Sequence, residues 1–131
     1  MLTQTFLRLS MGLLLICLAS PALALEQNEK LRVENFLQAL AQEKDLIFIR
    51  NGREYMVNRA VNHLRRKLNS VEDKLSTAEE FIDQVASKSS LSGKPYLIRR
   101  PGGQNEEAGP YFHEILAKIP KNPAPEIKVS K

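Results

Sequence analysis

The sequence predicts an α+β domain: four helices packed on a small antiparallel β-hairpin, with a third strand added at the hairpin's edge. Three observations predict it. Four segments repeat their apolar residues at helical spacing. Two β-rich runs flank Asn51-Gly52, a pair suited to a tight hairpin turn. A further strand-like run, Tyr96-Leu97-Ile98-Arg99, follows Pro95, and the start of a strand is where proline is tolerated.

The chain opens on a different pattern. Met1 to Ser10 carries one cation, Arg8, and no acid. Leu9 to Ala19 is apolar apart from Ser10, and Pro21 and Ala22-Leu23-Ala24 follow. Cationic, apolar and A-x-A stretches in that order form a secretory signal, expected to be cleaved after Ala24. The apolar run is well short of the roughly 20 residues that span a bilayer. Cys17 is preceded by bulky Leu15 and Ile16, which argues against a lipid-anchored cysteine, so it is expected to leave with the signal. It is the one cysteine of the 131-residue chain, so the remainder could hold no disulfide, thiolate metal site or thiol nucleophile. Residues 25–119 are then expected to form a single domain, large enough for an unstapled core. Residues 120–131, with Pro123, Pro125 and alternating lysines, read as a disordered tail.

Within the domain, Val33, Phe36, Leu37, Leu40 and Ala41 predict a helix over 27–43. The hairpin follows. A two-residue turn pairs Arg50 with Arg53, Phe48 with Tyr55 and Leu46 with Val57, and both faces are apolar. Asn58 is the expected cap of a second helix, whose stripe of Val61, Leu64, Leu68, Val71 and Leu75 lasts about 17 residues. Ser76 to Glu79, or Thr77 to Glu80, forms a capping box for a third helix with Ala78, Phe81, Ile82, Val85 and Ala86 inward. A serine-rich loop leads to the third strand, Pro95 to Arg99. A second loop runs on to Gly109, and Pro110 opens a helix carrying Phe112, Ile115, Leu116 and Ile119.

Four segments in this order resemble the YfeK-like family of small exported bacterial proteins, a domain of unknown function. They are Asp45 to Gly52 (DLIFIRNG), His63-Leu64-Arg65, Thr77 to Ile82 (TAEEFI) and Ser89 to Tyr96 (SSLSGKPY). The resemblance runs from about Leu31 to Leu116. It implies a Gram-negative periplasmic setting and brings no activity, cofactor or catalytic residue with it.

Charge is unevenly laid out. Arg50, Arg53, Arg59, Arg65, Arg66 and Lys67 face one acid, Glu54, between Ile49 and Leu68; Lys88, Lys94, Arg99 and Arg100 form a second basic block. Arg50 opposite Arg53 costs stability unless the two forks meet an anion, water or neighbouring acids. The loop hydroxyls of Ser90 and Ser92, beside Gly93-Lys94, either cradle an anion or simply connect helix to strand. His63, one turn before Lys67, is the best acid–base candidate. His113-Glu114 lacks the second histidine of a zinc helix, so no metal site and no cofactor is expected. Tyr55, Tyr96 and Tyr111 offer either sugar-stacking surfaces or core.

Two functions remain. The first is a non-enzymatic periplasmic binding module with a basic patch of Arg50, Arg53, Arg65, Lys94 and Arg99, flanked by His63, Ser90, Ser92 and Tyr96. Its partner would be an anionic envelope component or an acidic protein. The second is a small hydrolase or transferase using His63 as base and Ser89, Ser90 or Ser92 as nucleophile. Once Arg8 is lost the net charge is +3, from 18 cations against 15 acids, too mild to argue for nucleic acid. No stable membrane span is expected after cleavage, and the oligomeric state stays open.

Overall fold

The computed structural model describes residues 25–123; the signal-like segment and residues 124–131 of the tail lie outside it. The elements are α1 (Gln27–Gln42), β1 (Ile47–Arg50), β2 (Arg53–Met56), α2 (Val57–Val71), α3 (Ala78–Phe81), β3 (Leu97–Arg99), β4 (Asn105–Glu107) and α4 (Ala108–Ala117). A 3₁₀ turn, Glu72–Lys74, follows α2, and α3 runs on into a π-helical turn, Ile82–Ala86. The chain is α+β as expected, with an antiparallel sheet in the order β2-β1-β3-β4.

The hairpin has the expected register, Arg50 opposite Arg53 and Phe48 opposite Tyr55. Asn51 and Gly52 both take positive φ, +50° and +74°, which turns the chain with the twist of its strands. Alternation then divides the sheet. Phe48 and Ile98 face the helices and are buried in the core, with Arg50 and Tyr55 on the same side of the hairpin. Ile47, Ile49, Leu97 and Arg99 take the opposite face, where Met56 is half exposed. α1 touches α2, α3 and α4 and carries the centre of the core, with Phe36 edge-on to Phe81 and Phe112.

Four expectations need correction. The third strand is interior, because β4 pairs outside it. β4 was invisible because Asn105, Glu106 and Glu107 are all exposed and show no apolar alternation; its backbone ladder holds it. The strand itself is Leu97–Arg99, with Pro95 only bridging Lys88. α2 begins at Val57, directly out of β2, without an Asn58 cap; it ends at Val71, and the 3₁₀ turn folds Leu75 into the core. α4 starts two residues before Pro110, where the Ala108 N–H donates to the Tyr96 carbonyl. There Gly109 lies so close to Ser87 that a Cβ would meet the serine's Cβ at 3.2 Å.

At the start of α3 the box uses Thr77, whose Oγ1 accepts from the Glu80 N–H, while the Glu80 carboxylate takes the N–H of Ser76. Glu79 is thereby free to pair with Arg32. Arg32, a residue only 4 % exposed, bridges Glu29 of its own helix and Glu79 of α3 through its guanidinium. Glu29 also accepts the Ala78 N–H, an open donor at the helix start. This knot fixes α1 against α3.

Candidate functional site

α2 crosses the helix-facing side of the hairpin and meets it in a charged cluster. Arg59, His63, Arg66 and Lys67 stand at i, i+4, i+7 and i+8, one face of the helix. Arg50 and Tyr55 come from the hairpin, and the buried Tyr96 comes from the approach to β3. Between them lies a small pocket of about 60 Å³, floored by Phe48 and Ala60 and walled by Arg50, Tyr55, Arg59, His63 and Arg66.

Lys67 stands at the inner end of the cluster, outside the lining of the pocket. Its Nζ donates to the carbonyls of Val85 (2.6 Å) and Lys88 (2.7 Å) and to the Tyr96 hydroxyl (3.2 Å). These carbonyls end the π turn and begin the loop, where a helix terminus leaves acceptors open and carries partial negative charge. Burial, with Arg50 and Lys88 nearby, lowers Lys67 to about 8, so it remains mostly charged at neutral pH. It also lies 4.9 Å from the centre of the Tyr96 ring. Burial raises the Tyr96 phenol, against the opposing pull of Arg50.

His63 sits next along. Its Nε2 is 2.9 Å from Arg50 Nη1 and 3.3 Å from the Tyr96 hydroxyl. Burial first, then Arg50, Lys67 and Arg66, lower it to about 4. The ring is therefore neutral at pH 7 and offers one acceptor nitrogen to a crowd of donors. Arg50 and Arg59 both lie against the Tyr55 ring, 5.2 and 5.7 Å from its centre. Among the described residues no carboxylate pairs with Arg50, Arg59 or Arg66. The result is a surplus of N–H donors and positive charge around a small cavity, the arrangement that takes up an oxyanion.

The expected patch is only partly assembled here. Arg50, His63 and Tyr96 come together. Arg53 is exposed at the turn, opposite Arg50. Arg65 points to α1 and is bound by Glu34, whose carboxyl it holds below the usual range. Arg99 lies on the opposite face of the sheet, paired with Glu54 at 2.6 Å and with Asn105. The five-residue patch therefore does not form as one surface: strand alternation removes Arg99, and an interhelical ion pair removes Arg65. Lys94, Ser90 and Ser92 are exposed in the serine loop. That loop is closed on itself by Ser89 N–H to the Lys94 carbonyl and Gly93 N–H to the Ser89 carbonyl. The hydroxyls of Ser89 and Ser92 accept backbone N–H groups within it, and no hydrogen bond joins a loop serine to His63. Tyr111 is buried beneath Arg100, and His113 pairs with Asp83.

Arg59, Arg66 and Lys67 complete the site without having been selected for it. The signal was their spacing from His63 on one helical face. A larger groove, about 530 Å³, lies between α1 and α4, but its lining mixes Glu43, Asp45 and Glu114 with Lys44, Arg100 and Lys118 and gives no net sign. Among the described residues no group of three or more His, Cys, Asp or Glu could hold a metal, and no helix is long and apolar enough to cross a membrane.

These features define a small α+β domain with its helices on one side of a four-stranded sheet and a cationic pocket where α2 crosses the hairpin. The chain belongs to the family described as "Family of unknown function (DUF5329)", whose model matches residues 27–120. It is similar to the "Uncharacterized protein YfeK" of Salmonella typhimurium (strain LT2), 49% identical over 82 residues, which is 62% of this chain and 68% of that protein. The family resemblance carried by the four sequence segments is thus established. No solved structure matches.

Proposed function

We propose that this protein is a non-enzymatic binding module of the bacterial cell envelope, exported by its first 24 residues, which takes an anionic group into the Arg50–Arg59–Arg66 pocket. One observation carries the reading: three guanidinium groups surround a small cavity with no carboxylate to neutralise them. Leu25, the first residue after the expected cleavage point, packs into the core, which agrees with a domain starting where the leader pattern ends. The hydrolase reading has less behind it. A histidine lowered to about 4 is a weak base at neutral pH, and the hydroxyls of Ser89 and Ser92 are engaged within their own loop.

The test is equilibrium binding at low and high salt to phosphatidic acid vesicles and to soluble peptidoglycan fragments. Binding to at least one is expected, weakening as salt screens the cations. An Arg50→Ala/Arg66→Ala variant should lose affinity by roughly tenfold or more, since each charge-assisted hydrogen bond contributes about 1.5–3 kcal/mol. No binding at low salt, or unchanged binding by the variant, would refute the reading.

A further inference from the structure

We infer that the group held in this pocket is a phosphate monoester, carried on a larger body that lies along Tyr55 and out into solvent. This rests on the anion-binding reading above and narrows it to one chemistry. Size restricts the choice first. A cavity of about 60 Å³ admits a compact oxyanion and excludes a sugar ring or a peptide, so only the charged end of a ligand enters.

Charge narrows it further. Arg50, Arg59 and Arg66 bring three permanent positive charges, His63 adds none at neutral pH, and no acid lines the wall. A carboxylate would neutralise one of the three. A phosphate monoester, with a second pKa near 6, is largely dianionic at pH 7 and neutralises two.

Donor geometry points the same way. Three planar forks present paired N–H groups, and a monoester offers three terminal oxygens to receive them where a carboxylate offers two. Arg50 also uses Nη1 on His63, which orients its fork while leaving its other N–H groups free for a ligand. Tyr55, half-buried with Arg50 and Arg59 against its ring, forms the wall along which the ligand body leaves the pocket.

A matched pair of probes decides the point: phenyl phosphate and benzoate share a body and differ in the charged group. Each is titrated into the protein at constant ionic strength by calorimetry, with His63 ring shifts followed by NMR. Phenyl phosphate should bind at least tenfold more tightly than benzoate and move the His63 signals. An Arg59→Ala/Arg66→Ala variant, altered only at exposed side chains and with its melting curve checked, should lose that preference. Benzoate binding as tightly as phenyl phosphate would overturn the monoester assignment while leaving the anion-binding function standing. Binding of neither probe would overturn both, and phenyl phosphate binding unchanged in the variant would place the site elsewhere and overturn the assignment. Phosphatidic acid vesicles that displace phenyl phosphate would identify a lipid source for the monoester. Vesicles that fail to displace it would identify a soluble one.

Discussion

A Phe112→Ala variant should be about 3–5 kcal/mol less stable than the parent, the range for deleting a fully buried phenyl ring. Phe112 has no exposed surface and joins three elements. Its ring is edge-on to Phe36 of α1 at 5.4 Å and parallel to Phe48 of β1 at 6.3 Å. Aromatic pairs of this kind add about 0.5–1.5 kcal/mol beyond their buried area. Truncation leaves a hole between helix layer and sheet that neither side can fill without moving. A domain of this size loses roughly 4–8 °C of melting temperature per kcal/mol, so a fall of about 15 °C or more is expected. Phe48 is also the floor of the pocket, so anion affinity should weaken in whatever fraction remains folded. A shift under about 5 °C in thermal denaturation would mean that the aromatic cluster is not what holds α4 to the sheet.

Arg32→Ala should cost about 2–3 kcal/mol, seen as a melting temperature roughly 10–20 °C lower. Arg32 is buried with its guanidinium on Glu29 at 3.0 Å and Glu79 at 2.7 Å. Removing it leaves Glu29, only 19% exposed, with its negative charge answered by a single backbone N–H from Ala78. The figure sits below the full cost of breaking a buried pair because the Glu79 side chain is 42% exposed and regains water. Arg32→Lys should fall between parent and alanine variant, since an ammonium keeps the charge and loses the two-pronged contact. Equal melting temperatures for Arg32→Ala and parent would show the knot to be incidental to the packing of α1 on α3.

Where local periodicity and fold agree, the sequence is enough to read. Phe36, Leu37 and Leu40 fall on one face of α1 because burial against three helices demands it, and Asn51-Gly52 dictates the hairpin register through its positive φ angles. The capping box at Thr77 was legible because it is a local contact. β4 was not, since a strand of Asn105, Glu106 and Glu107 exists only through its backbone partner β3. The π turn at Ile82–Ala86 leaves no compositional trace either, yet it ends at the carbonyls that anchor Lys67.

The cationic character of this region was legible in the sequence, while the grouping of its arginines was not. An excess of arginine between Ile49 and Leu68 is plain in the sequence, but which guanidinium groups stay free depends on acids far along the chain. Glu34 claims Arg65 across 31 positions, and Glu54 claims Arg99 across 45. Arg59 and Arg66 stay free because the hairpin, not an acidic helix, lies opposite them. The separation of Arg99 from Arg50 was open to sequence reasoning, given the strand pairing, because alternation alone sends them to opposite faces.

The convergence of unneutralised cations on the pocket is tested most directly by the proton titration of His63, followed through its ring signals in NMR. Burial first, and the charges of Arg50, Lys67 and Arg66 second, should make the ring titrate near pH 4, against 6.5 for an unhindered histidine. Between those values the unfolded chain binds a proton that the folded one refuses, so His63 imposes no cost above pH 6.5 and a growing one as pH falls toward 4. Stability should therefore decline through that window by about 1–3 kcal/mol, and a His63→Gln variant should lose that part of the decline. A His63 midpoint close to 4, rising when phenyl phosphate is added, is the expected result. A midpoint at or above 6.5 in the free protein would mean that the ring is neither buried nor crowded by Arg50, Lys67 and Arg66, and the pocket would have no claim on an anion.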